Sequence, residues 1–177
     1  MGALKPIIFL MPVIALTLTA IMFGFLLKKS TDKPGFRKLS FTISILAFIT
    51  NFIWEVIQMP LYSGTDDKIG HIAFCALAAI ADTIMVLLLY FLLSAIYRNP
   101  FWGQHLTTNK ALTVILIGGI GAIGAELFHV SAGNWIYAAS MPIIPIVDVG
   151  LSPVLQFMIL PLLIYYWSFR KLYKKIS

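Results

Sequence analysis

The chain has 177 residues, of which 60% are hydrophobic and 11% charged, with a mean hydropathy of +0.93. A soluble domain carries about a quarter charged residues, so the composition excludes a water-wetted globule and implies lipid as solvent. The net charge of +6 does not imply a nucleic-acid partner, because the cations stand at the ends of apolar runs, and the single cysteine, Cys75, excludes an intrachain disulfide framework or a multi-Cys metal site.

Five apolar stretches, 6–27, 39–61, 71–97, 111–131 and 152–169, approach or exceed the ~20 residues needed to cross a bilayer core. Helices are the expected form, since backbone polar groups in lipid must be satisfied within their own segment. The expected fold is therefore all-α: a polytopic bundle of about five transmembrane helices, one integral membrane domain over residues 1–177. The first stretch lacks a basic n-region and a small-residue cleavage site and is followed by Lys28 and Lys29, so it reads as a retained span rather than a signal peptide.

Orientation follows from the cations. With the N-terminus outside, Lys28, Lys29, Lys33, Arg37, Lys38, Arg98, Lys110, Arg170, Lys171, Lys174 and Lys175 are cytoplasmic, leaving only Lys5 and Lys68 of the 13 Lys and Arg outside. The expected location is a cell membrane of the bacterial inner-membrane type, with the C-terminus in the cytoplasm.

The stretch from Ser131 to Leu151 is apolar in part but carries Pro142 and Pro145, Asn134 and Asp148. A sixth span here would place the terminal cations outside, so the segment reads as interfacial or re-entrant on the outer face, with Trp135 and Tyr137 at headgroup depth. Ser152 and Pro153 read as N-cap and first position of the last helix, Pro161 as a kink, and Tyr165, Tyr166 and Trp167 as its inner aromatic belt.

The polar residues within the spans are patterned. Asn51, Glu55, Gln58 and Tyr62 share one helical stripe; His71, Cys75, Ala78 and Asp82 share another; Gly118, Ala122, Ala125 and His129 a third, with Glu126 beside His129. The small residues Gly118, Gly121, Ala122 and Ala125 are expected to approach Ala78 and Ala79 on the neighbouring helix. Depth along the spans predicts that Glu55, Gln58, His71, Glu126, His129, Asn134 and Asp148 converge in the outer-leaflet half, near Trp135, Gln156 and the N-terminus of the last helix. Asp82 alone falls near the midplane and reads as a buried hydrogen-bonded partner.

Ionisable groups at membrane depth cost at least ~2.5–3.5 kcal/mol each, so they tend to mark function. The first reading is acid–base chemistry on a lipid-soluble or isoprenoid-like substrate, with Glu55, Glu126, His71 and His129 as proton-transfer groups. In it Gln58, Asn134, Asp148 and Gln156 contact the ligand, and Trp54, Trp135 and Tyr137 give an aromatic wall. A metal site built from Glu126, His129, His71 and Glu55, a haem between His71 and His129, and a non-catalytic lipid-binding or partner-binding bundle are the alternatives. The expected partners are membrane lipid and a hydrophobic small molecule; cofactor and oligomeric state stay open.

Two resemblances rest on these residues. The run from Trp54-Glu55 through Gln58, Pro60 and Tyr62, with His71, Asp82, Glu126, Trp135, Tyr137, Met141-Pro142, Pro145 and Gly150 to Ser152, Pro153 and Gln156, resembles a family of small uncharacterised bacterial multi-pass membrane proteins. That resemblance implies no activity. Glu55 followed by Gln58-Met59-Pro60 is similar to a Glu…Gln-Leu-Pro element of the emopamil-binding (EXPERA) family of sterol-isomerase-like proteins, although the Glu-to-Gln spacing differs by one residue. This second resemblance implies a lipid-binding acid–base pocket within a bundle.

Overall fold

The computed structural model describes residues 6–63 and 68–173, the side chains of 68, 69, 71, 172 and 173 excepted. Five helices dominate it: α1 (Leu10–Lys29), entered through a 3-10 turn at Pro6–Phe9, then α2 (Lys33–Gln58), α3 (Lys68–Ile96), α4 (Thr108–Ser131) and α5 (Leu151–Tyr173). All five are long and apolar enough to cross a membrane, and their outward faces are apolar, as Phe41 (68% exposed), Ile57 (72%) and Ile120 (69%) show. In water such faces would be untenable, so this is the architecture of a multi-pass membrane protein.

Helices α2 and α4 begin before their apolar runs because their first turns are polar and capped. The Asp32 carboxylate accepts from the Gly35 N–H at 2.8 Å, with Pro34 in the first turn of α2, and the Thr107 hydroxyl accepts from the Lys110 N–H at 3.5 Å. The last helix departs from expectation: α5 starts at Leu151, so Ser152 is no N-cap, and its hydroxyl donates instead to Gln58 Oε1 at 2.8 Å. Helix α5 continues through Pro161.

Starts of α1, α3 and α5 and ends of α2 and α4 share one end of the bundle; Lys28, Lys29, Lys33, Arg37, Lys38, Arg98, Lys110, Arg170 and Lys171 share the other. At this basic end Phe36, Tyr90, Phe91, Trp102, Tyr165 and Phe169 form a buried aromatic core. The Tyr90 hydroxyl donates to the Pro100 carbonyl and Tyr165 to the Val86 carbonyl, both at 2.7 Å, while Lys110 Nζ donates to the carbonyls of Trp102 (2.7 Å) and His105 (3.0 Å). These bonds fix the link between α3 and α4. Tyr165 is therefore a core residue, not part of an aromatic belt; Tyr166 and Trp167 are the exposed pair.

The opposite end is closed by residues 132–150, which contain no helix. Helix α4 ends in a Schellman arrangement: Asn134 N–H donates to the His129 carbonyl and Gly133 N–H to the Val130 carbonyl, both at 3.0 Å, with Gly133 at φ 63°, a conformation that favours glycine. The chain then runs antiparallel to the end of α2, with Ser63 N–H donating to Ile136 and Ala138 N–H to Leu61, both at 2.9 Å. A short hairpin follows, β1 (Ile143–Ile144) paired with β2 (Val149–Gly150), its turn carrying Asp148 at φ 53° and Ile146 at 94% exposure. We refer to this as the hairpin end.

Side-to-side packing sets where space is left. Helix α3 packs on α1 and α2, α2 on α5, and α5 on α4, whereas α3 and α4 touch sparsely although consecutive in sequence. The expected meeting of small residues across α3 and α4 does not occur. Gly118 lies against α5, where a Cβ would stand 2.2 Å from the Phe157 carbonyl oxygen, while Gly121 has nothing within 4 Å of a built Cβ. Helices in lipid associate where backbones can come close, and α4 makes that approach to α5.

This contrast gives a test. Replacing Gly118 by alanine should cost about 1–3 kcal/mol through backbone displacement and lower the thermal midpoint in detergent, whereas Gly121→Ala should leave it unchanged. Equal effects at the two positions would contradict the packing described.

Candidate functional site

The gap between α3 and α4 is a cavity of about 1080 Å³, at the upper end of the ~300–1,000 Å³ usual for small-molecule sites. On α3 its wall runs from Phe74 to Leu92, about 27 Å of helix at ~1.5 Å per residue, close to the ~30 Å of a bilayer core. Most of the lining is apolar, and Leu77, Ile80 and Leu92 line it while also being exposed at the bundle surface, so the cleft opens sideways. Small residues, Ala78, Ala81, Gly121 and Ala125, keep it wide.

Two polar groups face this space. The first joins three helices. Gln156 of α5 donates to Asn51 Oδ1 and Asp82 Oδ2, both at 2.9 Å, and accepts from Gln58 Nε2 at 3.2 Å. Gln58 Nε2 also donates to Glu55 Oε1 at 2.7 Å. Glu55 and Asp82 are thus joined through the two glutamines, Gln58 on Glu55 and Gln156 on Asp82.

The second group gathers at the end of α4. The Glu126 carboxylate accepts from the Tyr137 hydroxyl and, at 3.3 Å, from the Trp135 indole N–H on the same oxygen, Oε2. The Trp135 ring stacks on His129 with centroids 4.3 Å apart and planes 24° from parallel, and His129 Nδ1 meets the Asn134 amide at 2.8 Å. The chain reversal at Gly133 makes this possible, since it folds residues 134–137 back onto the last turn of the helix that carries Glu126 and His129.

The expected residues are thus brought together in large part. Glu55, Gln58, Glu126, His129, Asn134, Trp135 and Gln156 all line the cavity. Trp54 and Tyr137 do not; Trp54 Nε1 donates to Gln58 Oε1 at 3.2 Å, and Tyr137 holds Glu126. Asp148 is a correction: it is exposed in the hairpin turn, where its left-handed backbone, common for Asp, serves the turn rather than the pocket. His71 belongs to α3, but its side chain, and with it the pairing with His129, lies outside the described residues. Asp82 and Tyr62 line the cavity and were not among the expected site residues, although both sat on the polar stripes; midplane depth was the reason for setting Asp82 aside.

Among the described residues no three His, Cys, Asp or Glu side chains are placed to hold a metal ion, and no Lys or Arg lines the cleft. Comparison with family models, curated proteins and solved structures finds no match for the chain.

Two outcomes follow. Gln156→Leu strands polar partners on two helices, and a buried unsatisfied polar group costs about 1–3 kcal/mol, so the thermal midpoint should fall clearly while Gln156→Glu or Gln156→Asn should lose less. Burial, and then the bond to Glu126, raises the Tyr137 phenol above its ordinary value of 10.0. The neutral phenol is the form the fold holds, so this contribution to stability is complete below pH 10.0 and is lost as pH rises beyond it. The midpoint should therefore drop more steeply above that pH in the natural chain than in Tyr137→Phe.

Proposed function

We propose that the chain binds an amphiphilic, lipid-like or isoprenoid-like molecule in the cleft between α3 and α4 and performs acid–base chemistry on it. The observation that carries this reading is that carboxyls from three helices, Glu55, Asp82 and Glu126, face one apolar cavity that is open at the side of the bundle. Binding alone would not require ionisable groups at such depth.

The two polar groups suit a division of labour. Moving a double bond by proton transfer adds a proton to one of its carbons and removes one from the carbon attached to its other end, two bonds away, so it needs a donor and an acceptor that reach those two carbons. Glu126, set in position by Tyr137 and Trp135, is one such group; Glu55 with Asp82, joined through Gln58 and Gln156, is the other. Gln58 and Gln156 position the pair, and Asn134 and Trp135 position His129. The distribution of cations supports a cell-membrane protein with its basic end in the cytoplasm and the hairpin end outside.

Mass spectrometry of small molecules retained by the purified chain tests the reading. An amphiphile held in stoichiometric amount is expected, and incubation with it should yield a product of equal mass. Glu126→Gln keeps an acceptor for Tyr137 and should leave the fold intact while slowing conversion by about 10²–10⁴-fold. Undiminished conversion would remove Glu126 from the chemistry; a retained amphiphile that is never converted would reduce the function to binding.

A further inference from the structure

Helix α5 starts deeper in the bundle than α4 ends. Gly118 and the Phe157 carbonyl meet at one level. From there α4 continues through thirteen residues to Ser131, about 20 Å at ~1.5 Å per residue, whereas α5 reaches back only six residues, about 9 Å, to its first residue, Leu151. In the opposite direction Lys110, the cation at the basic end of α4, stands eight residues or about 12 Å away. A bilayer core of ~30 Å measured from that cation ends about 18 Å beyond Gly118, at the last turn of α4. Helix α3 gives the same result: fourteen residues separate Asp82 from Lys68, whereas five separate Gln156, its partner at 2.9 Å, from Leu151.

The outermost ~9 Å of the core beside α4 is therefore not spanned by α5. The hairpin fills it. Val149 is buried with Ala122 and Val154, and Ile144 and Val147 pack on the same cluster; Ala122 stands nine residues, about 14 Å, short of the end of α4. One side of the hairpin thus lies on α4 and α5. Its other side is apolar: Pro142, Ile143, Pro145 and Ile146 are exposed, and Asp148 is the only polar residue between Pro142 and Gly150. Non-helical backbone at membrane depth has to find its own partners, and the hairpin spends its donors on itself. Pro142 and Pro145 have no N–H, Val147 and Asp148 donate to the Ile144 carbonyl at 3.2 and 2.9 Å, Leu151 donates to the Pro142 carbonyl at 2.7 Å, and β1 pairs with β2.

We propose that the hairpin is immersed in the lipid leaflet at its end of the bundle, where it stands in for the missing outer turns of α5. Pro142, Ile143, Pro145 and Ile146 face acyl chains, and Asp148 marks the side of the turn that meets the headgroups. Ile146, 94% exposed, gains most from leaving water. Lipid is the occupant of this face for two reasons. The face lies at the depth of Ile120 and Leu127, exposed apolar side chains of α4 that flank Ala122, and four side chains are too few for a stable protein partner, which takes about 20–30 residues a side. None of these residues lines the cleft, so the proposal holds whatever the cleft binds.

Spin labels on Ile143→Cys, Ile146→Cys, Ile120→Cys and Ser131→Cys, each in the full chain carrying Cys75→Ala, test the placement in phosphatidylcholine liposomes. All four labelled positions are exposed, so the label leaves the packing intact. Relaxation by oxygen, which concentrates in hydrocarbon, is compared with relaxation by nickel-EDDA, which stays in water. Labels at 143 and 146 should match the one at 120, with an oxygen-to-nickel ratio several-fold above that at 131. If either gives the ratio of 131, the hairpin stands in water and the proposal is overturned. If both are shielded from both reagents, protein covers the face and lipid is not its occupant.

Discussion

The close approach of α4 to α5 at Gly118 governs the rest of the molecule. In lipid there is little hydrophobic drive between helices, so van der Waals contact between backbones decides which pairs associate. The lack of a side chain at Gly118 lets α4 settle against the Phe157 carbonyl, and a helix held there is turned away from α3. A lateral opening lined by alanine and glycine is the direct result. The same residue types that would have glued α3 to α4 instead leave room between them.

Polar side chains then distribute themselves according to what each can reach. In hydrocarbon an unpaired amide or carboxyl is costly, and Gln156 relieves that cost for Asn51 and Asp82 together while taking a hydrogen bond from Gln58. Among the described residues Glu126 has no helix-borne partner of this kind and draws its donors from residues 135 and 137. Their placement depends on the antiparallel pairing of 136–138 with 61–63 and on the turn at Gly133. One carboxyl group is therefore governed by helix packing and the other by a loop, so the two groups answer to different parts of the structure.

The helices were legible in the sequence because apolar run length is a direct consequence of bilayer thickness, and the polar stripes were legible because helical periodicity fixes which residues share a face. Glu55, Gln58, Glu126 and His129 fall together for that reason. What periodicity does not carry is the identity of the neighbour. The glycine run of α4 reads equally well as a contact with α3 or with α5, and only the three-dimensional fit chooses α5. Asp82 is the buried hydrogen-bonded partner that its midplane depth implied, bonded by Gln156, and it also lines the cleft because the cleft runs along most of α3. Asp148 was overrated because proximity in sequence to Trp135 and Asn134 says nothing of a hairpin that carries it away. Ser152 matched a helix cap by type and position, yet its hydroxyl found Gln58, a partner 94 residues distant.

The hub at Gln156 bears on how the protein is made. Synthesis delivers α1, α2 and α3 to the membrane first, with Asn51, Gln58 and Asp82 lacking the amide that will join them. Helix α5, made after them, supplies it. Until α5 enters the membrane, the nascent bundle therefore carries frustrated polar groups among its earlier segments. A chain truncated before residue 156 would leave exposed the polar groups that Gln156 joins in the folded bundle.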